Sequence, residues 1–482
     1  MKKILLRAGM SPLVDYDPTK VIIGNLFGNN IGNMLFQSGV SRVLMRGKVM
    51  IDTLHTKRAF TDEDVKRINE TYSCLVLPFA NAFRRSFVDE LNNSTALINK
   101  LKIPCIVIGV GAQAELGKEL DAEELNEAVT NFMKAVLKKS AMVGIRGEFT
   151  ADYLKKLGFQ EERDFTVIGC PSLYMYGKEL PEMEVKELTP DSKVSMNSKV
   201  NGRPQKFHDF MYRSSQALKD HYYVPQVIEE IYRVFIGRPY PKGFVKQTPN
   251  HFPADFLAPV YASGRGVCFT NMPSWLEFLK EKDLSFGCRI HGNIAAILAG
   301  TPCIVVAADR RIKELVDYHN IPHIMMGDIT EETSIFDLYE KADFTELKRG
   351  HEERFNHYID FLHANGLKTI FDEDVQYDIV PYDKKLSKIE FSAPTLAFSA
   401  LSPKQQLKRM EEAYLEESQK NKFFRDAYET LPASRKERFQ YVITGGRKEG
   451  NASYYPLIRE YEADRVLEKK KKRKREKEAE GL

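Results

Sequence analysis

Leu284-Ser-Phe-Gly-Cys-Arg289-Ile-His291-Gly-Asn-Ile-Ala-Ala-Ile-Leu-Ala-Gly300-Thr-Pro302-Cys-Ile-Val-Val306 reads as one βαβ unit. A short apolar strand runs into a turn carrying Arg289 and His291. A helix of small residues follows, Gly300-Thr-Pro302 stops it, and a second apolar strand begins. In open α/β sheets, ligands sit outside the carboxyl ends of strands, beside helix N-termini. Arg289 and His291 fall at that place and are candidates for holding and protonating an anionic substrate. From an extended segment, their i, i+2 spacing points both side chains the same way. Two such groups beside helix N–H groups are costly unless an anion fills the gap. The plainer alternative makes His291 a helix cap and Arg289 a bridge to a carboxylate. Gly292 and Asn293 complete the turn and are assigned with it to substrate binding.

The same alternation extends outward. Lys20–Ile23, Cys74–Leu77, Pro104–Gly109, Met142–Ile145 and Thr166–Ile168 read as strands. Leu125–Lys138 and Thr150–Leu157 have helical periodicity. Leu180–Lys193 is charged and bears proline, which suits a linker. Beyond it Val194–Met196 and Val267–Thr270 read as strands, His221–Val234 as partly helical and Trp275–Lys280 as helical. Strands alternating with helices predict an α/β protein with parallel sheets. Two Rossmann-like domains, 1–180 and 181–380, are expected to face each other across a cleft. From about Ser402 the composition becomes charged and helical, broken at Gly445-Gly446. Residues 381–482 are expected to form a helical extension with a basic tail.

A chain of 482 residues, 43% hydrophobic and 29% charged, suits a soluble protein of two or three domains. Arg7 interrupts the apolar run of Met1-Lys-Lys-Ile-Leu-Leu, so no signal peptide is expected, and no run is apolar enough to span a membrane. The six cysteines are scattered, without CxxC or zinc-ligand spacing, which suits buried reduced thiols in the cytoplasm. Lys469–Glu480 holds eight basic and three acidic residues, a charge of +5. Taken from the total of +4, this leaves −1 for the rest of the chain, which does not suit a nucleic-acid binder. The basic run is either a solvated tail or a contact for anionic lipid, which would place the chain at the inner face of the membrane.

Other stretches carry chemistry. Gly24-Asn-Leu-Phe-Gly28-Asn-Asn30-Ile-Gly32-Asn33 brings glycines and asparagines to the start of an amphipathic helix. Backbone N–H groups there favour an anion, and amides such as those of Asn30 and Asn33 suit sugar hydroxyls. Gly109-Val-Gly111-Ala-Gln113-Ala matches the loose dinucleotide-binding form but has no acid placed for a ribose. A strand end lining the cleft, with Gln113 facing the substrate, is the better reading. Arg146 opens a helix, where the macrodipole disfavours a cation unless an anion binds or Glu148 pairs with it. Asp309 and Arg311 follow the second strand of the opening unit, on the same sheet edge, either in the cleft or in a solvated charge cluster.

Together these elements resemble the polysaccharide pyruvyl transferase family. The resemblance rests on Val143-Gly-Ile-Arg146, Ile168-Gly-Cys-Pro171, Arg289-Ile-His291 before a small-residue helix, Gly300-Thr-Pro302, Asp309-Arg-Arg311-Ile-Lys-Glu314-Leu and the Asn/Gly-rich loop. It covers about residues 20–325. It implies a GT-B-like fold and transfer of the enolpyruvyl unit of phosphoenolpyruvate to sugar hydroxyls, forming a pyruvate ketal. The first domain would hold the acceptor and the second the donor. No metal or organic cofactor is implied; the partners would be phosphoenolpyruvate and a sugar or lipid-linked glycan, with a homo-oligomer left open. Arg289 and Arg146 would hold the donor anion, and His291 would supply the proton or touch the phosphate. Two positions depart from the family's pattern. Asn33 stands where Asp often follows Asn-x-Gly, and Cys170 stands where Asp often precedes the proline. A nucleotide-sugar glycosyltransferase and a non-catalytic polysaccharide-assembly protein are the rival readings.

Overall fold

Alternating apolar runs and amphipathic helices build two parallel sheets. The structure is a computed structural model that describes residues 3–54, 60–113, 120, 122–240, 244–245, 252–253 and 258–429, with side chains as far as 419. Ala114, most of the Pro239–Pro253 loop, the Gly445-Gly446 break and the basic tail lie outside the described residues.

The first half runs β1 (Lys3–Arg7), α1 (Pro18–Gly24), α2 (Asn33–Leu44), β2 (Met50–Leu54), α3 (Asp62–Thr71), β3 (Cys74–Pro78), α4 (Val88–Lys100), β4 (Cys105–Ile108), α5 (Glu123–Leu137), β5 (Val143–Ile145), α6 (Glu148–Lys156) and β6 (Phe165–Val167). Four strands pair in parallel in the order β2-β1-β3-β4. The parallel pair β5-β6 lies beside β4, where the N–H groups of Gly109 and Val110 donate to Gly144 O at 2.8 and 3.1 Å. The two-residue period of a strand sorts its side chains between two cores. Leu5, Leu75, Leu77 and Val107 meet Ile68, Leu91 and Phe132 of α3, α4 and α5. Ile4, Leu6, Val76 and Ile106 face the other way.

The second half runs β7 (Lys193–Asn197), α7 (Gln205–Ala217), β8 (Asp220–Tyr223), α8 (Ile228–Ile236), α9 (Pro259–Ala262), β9 (Val267–Cys268), α10 (Met272–Lys280), β10 (Leu284–Gly287), α11 (Ile290–Ala299), β11 (Cys303–Ala307), α12 (Arg310–Tyr318) and β12 (His323–Met325). Its parallel sheet has the order β12-β11-β10-β7-β8. Then come α13 (Ile335–Lys341), α14 (His351–Ala364), α15 (Pro381–Leu386), β13 (Thr395–Leu396) and α16 (Pro403–Glu429). The fold is therefore α/β, with two parallel-sheet units facing across a cleft. Although 181–380 is expected in the second half, α14 lies on the first sheet. Its Phe355, Tyr358 and Phe361 cover the face bearing Ile4, Leu6 and Val76, because a parallel sheet needs both faces buried.

Two expectations fail locally. Lys20–Ile23 belongs to helix α1, not to a strand. Asp17 accepts from Lys20 N at 3.0 Å, Pro18 sits in the first turn, and Asn25 ends the helix with φ 48°. Capping outweighed a short apolar run that suits either element. The edge of the first sheet also required β2, and its interior β1; neither announces itself by alternation.

Among the described residues no helix is long and apolar enough to cross a membrane. All six cysteines are free and buried.

Candidate active site

A cleft of about 1050 Å³ separates the two units, and the carboxyl ends of β10 and β11 open into it. Arg289, His291, Asp309, Arg311, Asn30, Asn33 and Gln113 all line it. Arg146, Gly292 and Asn293 do not.

The turn after β10 explains the last two. Asn293 is fully buried and fully used. It accepts from Ser285 Oγ at 3.0 Å and Asn197 Nδ2 at 3.2 Å, and donates to the carbonyls of Gly287 at 3.1 Å and Arg289 at 3.3 Å. Gly292 packs so closely that a Cβ would lie 2.1 Å from Gln226 Nε2. Both residues shape the turn and have no face toward a substrate. Gly287, at φ 138°, approaches Asn197 so nearly that a Cβ would come within 1.7 Å of its carbonyl oxygen. Asn197 Oδ1 in turn accepts from Arg289 N at 2.8 Å. The turn is thus clamped to the neighbouring strand β7, and Arg289 is aimed from a fixed backbone.

Arg289 precedes α11 and His291 lies in its first turn, so they do not share an extended segment. They reach the same cleft because the helix starts between them. Arg289 Nε and Nη2, His291 Nε2 and Arg311 Nε are buried without hydrogen-bond partners among the described residues. Neither alternative role holds: His291 makes no cap bond and Arg289 forms no ion pair among the described residues. Burial, then Arg146, Arg311 and Arg289, push the His291 imidazole well below its ordinary 6.5. It is neutral here. An anion placed among these arginines would raise it again.

Arg146 is fully buried behind the cleft wall. Its Nε donates to Gly109 O at 3.0 Å, and its guanidinium lies 5.2 Å from the centre of the Phe36 ring. Phe36 meets His291 edge-on at 5.9 Å. Both Nη atoms of Arg146 lack partners among the described residues, and Glu148 does not pair with it. Burial above all lowers its pKa to about 10, with Arg311 adding to the shift and Cys170 opposing it. It remains a cation, acting through space on the site in front of it.

Asp309 caps α12, accepting from Ile312 N at 3.0 Å, and faces Arg311 Nη2 at 3.5 Å. Burial would raise its carboxyl, but Arg311 and the Ile312 N–H outweigh it and hold it below the ordinary value. The Asn/Gly loop is pinned to the second unit: Ile31 N donates to Gln226 O at 3.0 Å and Ile228 N to Asn29 O at 3.2 Å. It follows helix α1 and not a strand. Asn30 Oδ1 accepts from Gly32 N at 2.8 Å, and Asn33 Nδ2 donates to Phe27 O at 2.8 Å and Gly28 O at 3.3 Å. These amides first of all hold the loop. Gly109–Gln113 is a strand end at the cleft, and the Gln113 amide meets that of Asn81.

Four further residues carry the site, and of these only Glu314 falls within a motif quoted from the sequence. Arg84 is held by Asn81 O at 2.7 Å and Ser86 Oγ at 3.0 Å, and burial followed by Arg311 brings its pKa to about 10. Lys199 and Arg203 line the cleft beside Arg289. Glu314, within the Asp309–Leu315 stretch, is 6% exposed and crosses between the units. Its Oε2 accepts from Thr150 N at 3.1 Å and Thr150 Oγ1 at 3.0 Å at the start of α6. Burial raises its carboxyl to about 7, against the pull of Thr150 and Arg146.

The polysaccharide pyruvyl transferase model matches residues 59–310, just over half of the 482-residue chain. The chain belongs to this family. No curated protein matches it. Among solved structures, the UDP-GlcNAc 2-epimerase of Neisseria meningitidis bound to UDP-GlcNAc is similar over 76% of this chain and 100% of its own, at 10% identity and TM-score 0.40. A putative UDP-N-acetylglucosamine 2-epimerase from Listeria monocytogenes covers 76% and 94%, at 11% identity and TM-score 0.40. In this pyruvyl transferase family member the two departures have a physical meaning. Cys170 is buried, its thiol pushed up by burial, so no carboxylate reaches Arg146 from that turn. Asn33 donates to two carbonyls, which an ionised Asp could not do.

Proposed function

We propose that the chain moves the enolpyruvyl unit of phosphoenolpyruvate onto two hydroxyls of a sugar, forming a pyruvate ketal. One observation supports this above the rest: Arg289 and Arg311 present unpartnered guanidinium nitrogens around a neutral, unpartnered His291, with the cationic Arg146 behind it. Buried cations without partners are costly, and a ligand with a carboxylate and a phosphate supplies what they lack.

In this reading Arg289 and Arg311 hold the two anionic groups bidentately. The bound anion raises His291, which takes a proton and delivers it to the methylene carbon, creating the methyl group. The electron-poor C2 is attacked by the first sugar hydroxyl. Phosphate leaves C2, taking its bonding pair, and the second hydroxyl closes the ketal. The two hydroxyl protons go to His291 and the departing phosphate. The sequence needs no metal or organic cofactor. The acceptor, a sugar or lipid-linked glycan, would enter along the Asn30–Asn33 loop and Gln113.

The test is phosphate release from phosphoenolpyruvate that depends on an added glycoside, with the ketal identified by mass. Arg289→Lys should lose most donor affinity, because a point charge cannot replace a fork. Unchanged donor affinity in that variant, or no acceptor-dependent phosphate, would refute the assignment.

A further inference from the structure

The cleft holds more positive charge than an enolpyruvyl donor neutralises. Among the described residues, seven Arg and Lys side chains line it against a single acid, Asp309. Arg7 pairs with Glu90, and Arg311 faces Asp309. A donor with one carboxylate and one phosphate is accounted for by Arg289 and Arg311. Four remain: Arg84, which donates to Asn81 O and Ser86 Oγ, and Arg85 belong to the first unit, while Lys199 and Arg203 lie beside Arg289 with no ion pair among the described residues.

These two belong to the loop that leaves the carboxyl end of β7, the strand paired with β10. They therefore stand next to the strand end that carries Arg289. Arg203 Nε and the neighbouring Asn201 Oδ1 are buried and without partners among the described residues. Burial, then Arg203 and Arg289, lower the pKa of Lys199, which shows three cations crowding one corner. The loop is fixed from beneath. Val200 N donates to the buried Glu230 at 3.0 Å, and Tyr223 OH donates to the same carboxyl at 3.0 Å. Gly202, at φ 62°, turns the chain between Lys199 and Arg203 in a left-handed conformation that favours glycine. A pinned loop that brings like charges together beside a donor site favours an anion between them.

We propose that Lys199 and Arg203 form a second anion subsite that takes the diphosphate of a sugar diphosphate, so that the acceptor is a diphosphate-linked glycan. A fork and a point charge side by side match a bridging dianion. Naming the ligand as the acceptor rests on the pyruvyl-transfer reading; the subsite itself does not. The diphosphate could be that of a prenyl-diphosphate carrier or of a nucleoside diphosphate.

The experiment is calorimetric titration of the full chain with inorganic pyrophosphate, with phosphoenolpyruvate, and with pyrophosphate at saturating phosphoenolpyruvate. Pyrophosphate should bind the wild type in both conditions. Lys199→Gln/Arg203→Gln should weaken it by about tenfold or more and keep phosphoenolpyruvate affinity. Lys199→Arg/Arg203→Lys, which keeps both charges, should retain pyrophosphate binding, and it decides the matter if the neutral variant binds neither ligand. The subsite is overturned if pyrophosphate fails to bind, binds the neutral variant equally well, or is displaced competitively by phosphoenolpyruvate. Should phosphoenolpyruvate alone fail to bind, the donor reading falls and the subsite stands. Displacement of pyrophosphate by farnesyl-diphosphate-linked N-acetylglucosamine or by UDP-N-acetylglucosamine identifies the carrier; displacement by neither overturns the assignment to the acceptor.

Discussion

Glu314→Gln should change the pH dependence of stability while leaving the fold intact. The side chain joins the two units at Thr150 and is 6% exposed. Its carboxyl is raised from an ordinary 4.5 to about 7, chiefly by burial. The folded protein therefore favours the protonated form. That contribution is fully present below pH about 4.5 and is lost as pH rises through about 7. The difference amounts to about 3 kcal/mol in the wild type between the two ends of that window. Gln has the shape of the neutral acid, and its Oε1 can accept from Thr150 N and Oγ1 as Glu314 does. The variant should match the wild type below pH about 4.5 and exceed it by about 3 kcal/mol at pH above 8. Urea unfolding at a series of pH values, followed by the fluorescence of Trp275, measures this; it is the one tryptophan of the chain and is buried in α10. A stability difference that is constant across pH would refute the reasoning. A variant less stable than wild type above pH 8 would show that ionised Glu314 is a net partner of Arg146.

Three further outcomes follow from the same geometry. His291→Ala should lower turnover by about 10²–10⁴-fold and lower stability modestly through the lost edge contact with Phe36, since Nε2 itself has no hydrogen bond to lose; equal turnover in a phosphate-release assay counts against its role. Gly287→Ala places a Cβ 1.7 Å from a backbone oxygen at φ 138°, so it should destabilise by more than about 3 kcal/mol and release the Asn197 clamp, as read by denaturant unfolding. Asn33→Asp should cost about 1–3 kcal/mol at neutral pH, because Phe27 O and Gly28 O lose their donor, and the loss should shrink as the acid is protonated below pH about 4; a pH-independent loss would mean the amide matters only by its shape.

Much of the architecture is written in local pattern. The βαβ unit at 284–306, the two blocks of alternating strands and helices, and the placement of Arg289, His291, Asp309 and Arg311 at one sheet edge all follow from apolar periodicity and the Gly300-Thr-Pro302 stop. Helix α1 is not legible from its three apolar residues, which suit strand and helix alike; Asp17 and Pro18 decide it. Arg146 was assigned to the anion from its helix-start position, yet Phe36, more than a hundred residues earlier, stands between it and His291.

The sequence by itself determines which residues meet the sheet edge, since strand period and helix stops act over a few residues. What the tertiary structure alone decides is their chemical state. Glu314 reaches Thr150 across 164 residues, and its carboxyl rises only because that contact is dry. His291 is neutral because it is buried and because Arg146, Arg311 and Arg289 converge on it from two different units. Asn293 and Gly292 pass from binding residues to supports of the turn because Asn197 and Gln226 fill the space around them. Burial and electrostatic fields depend on distances through space, and only the closed cleft fixes those distances.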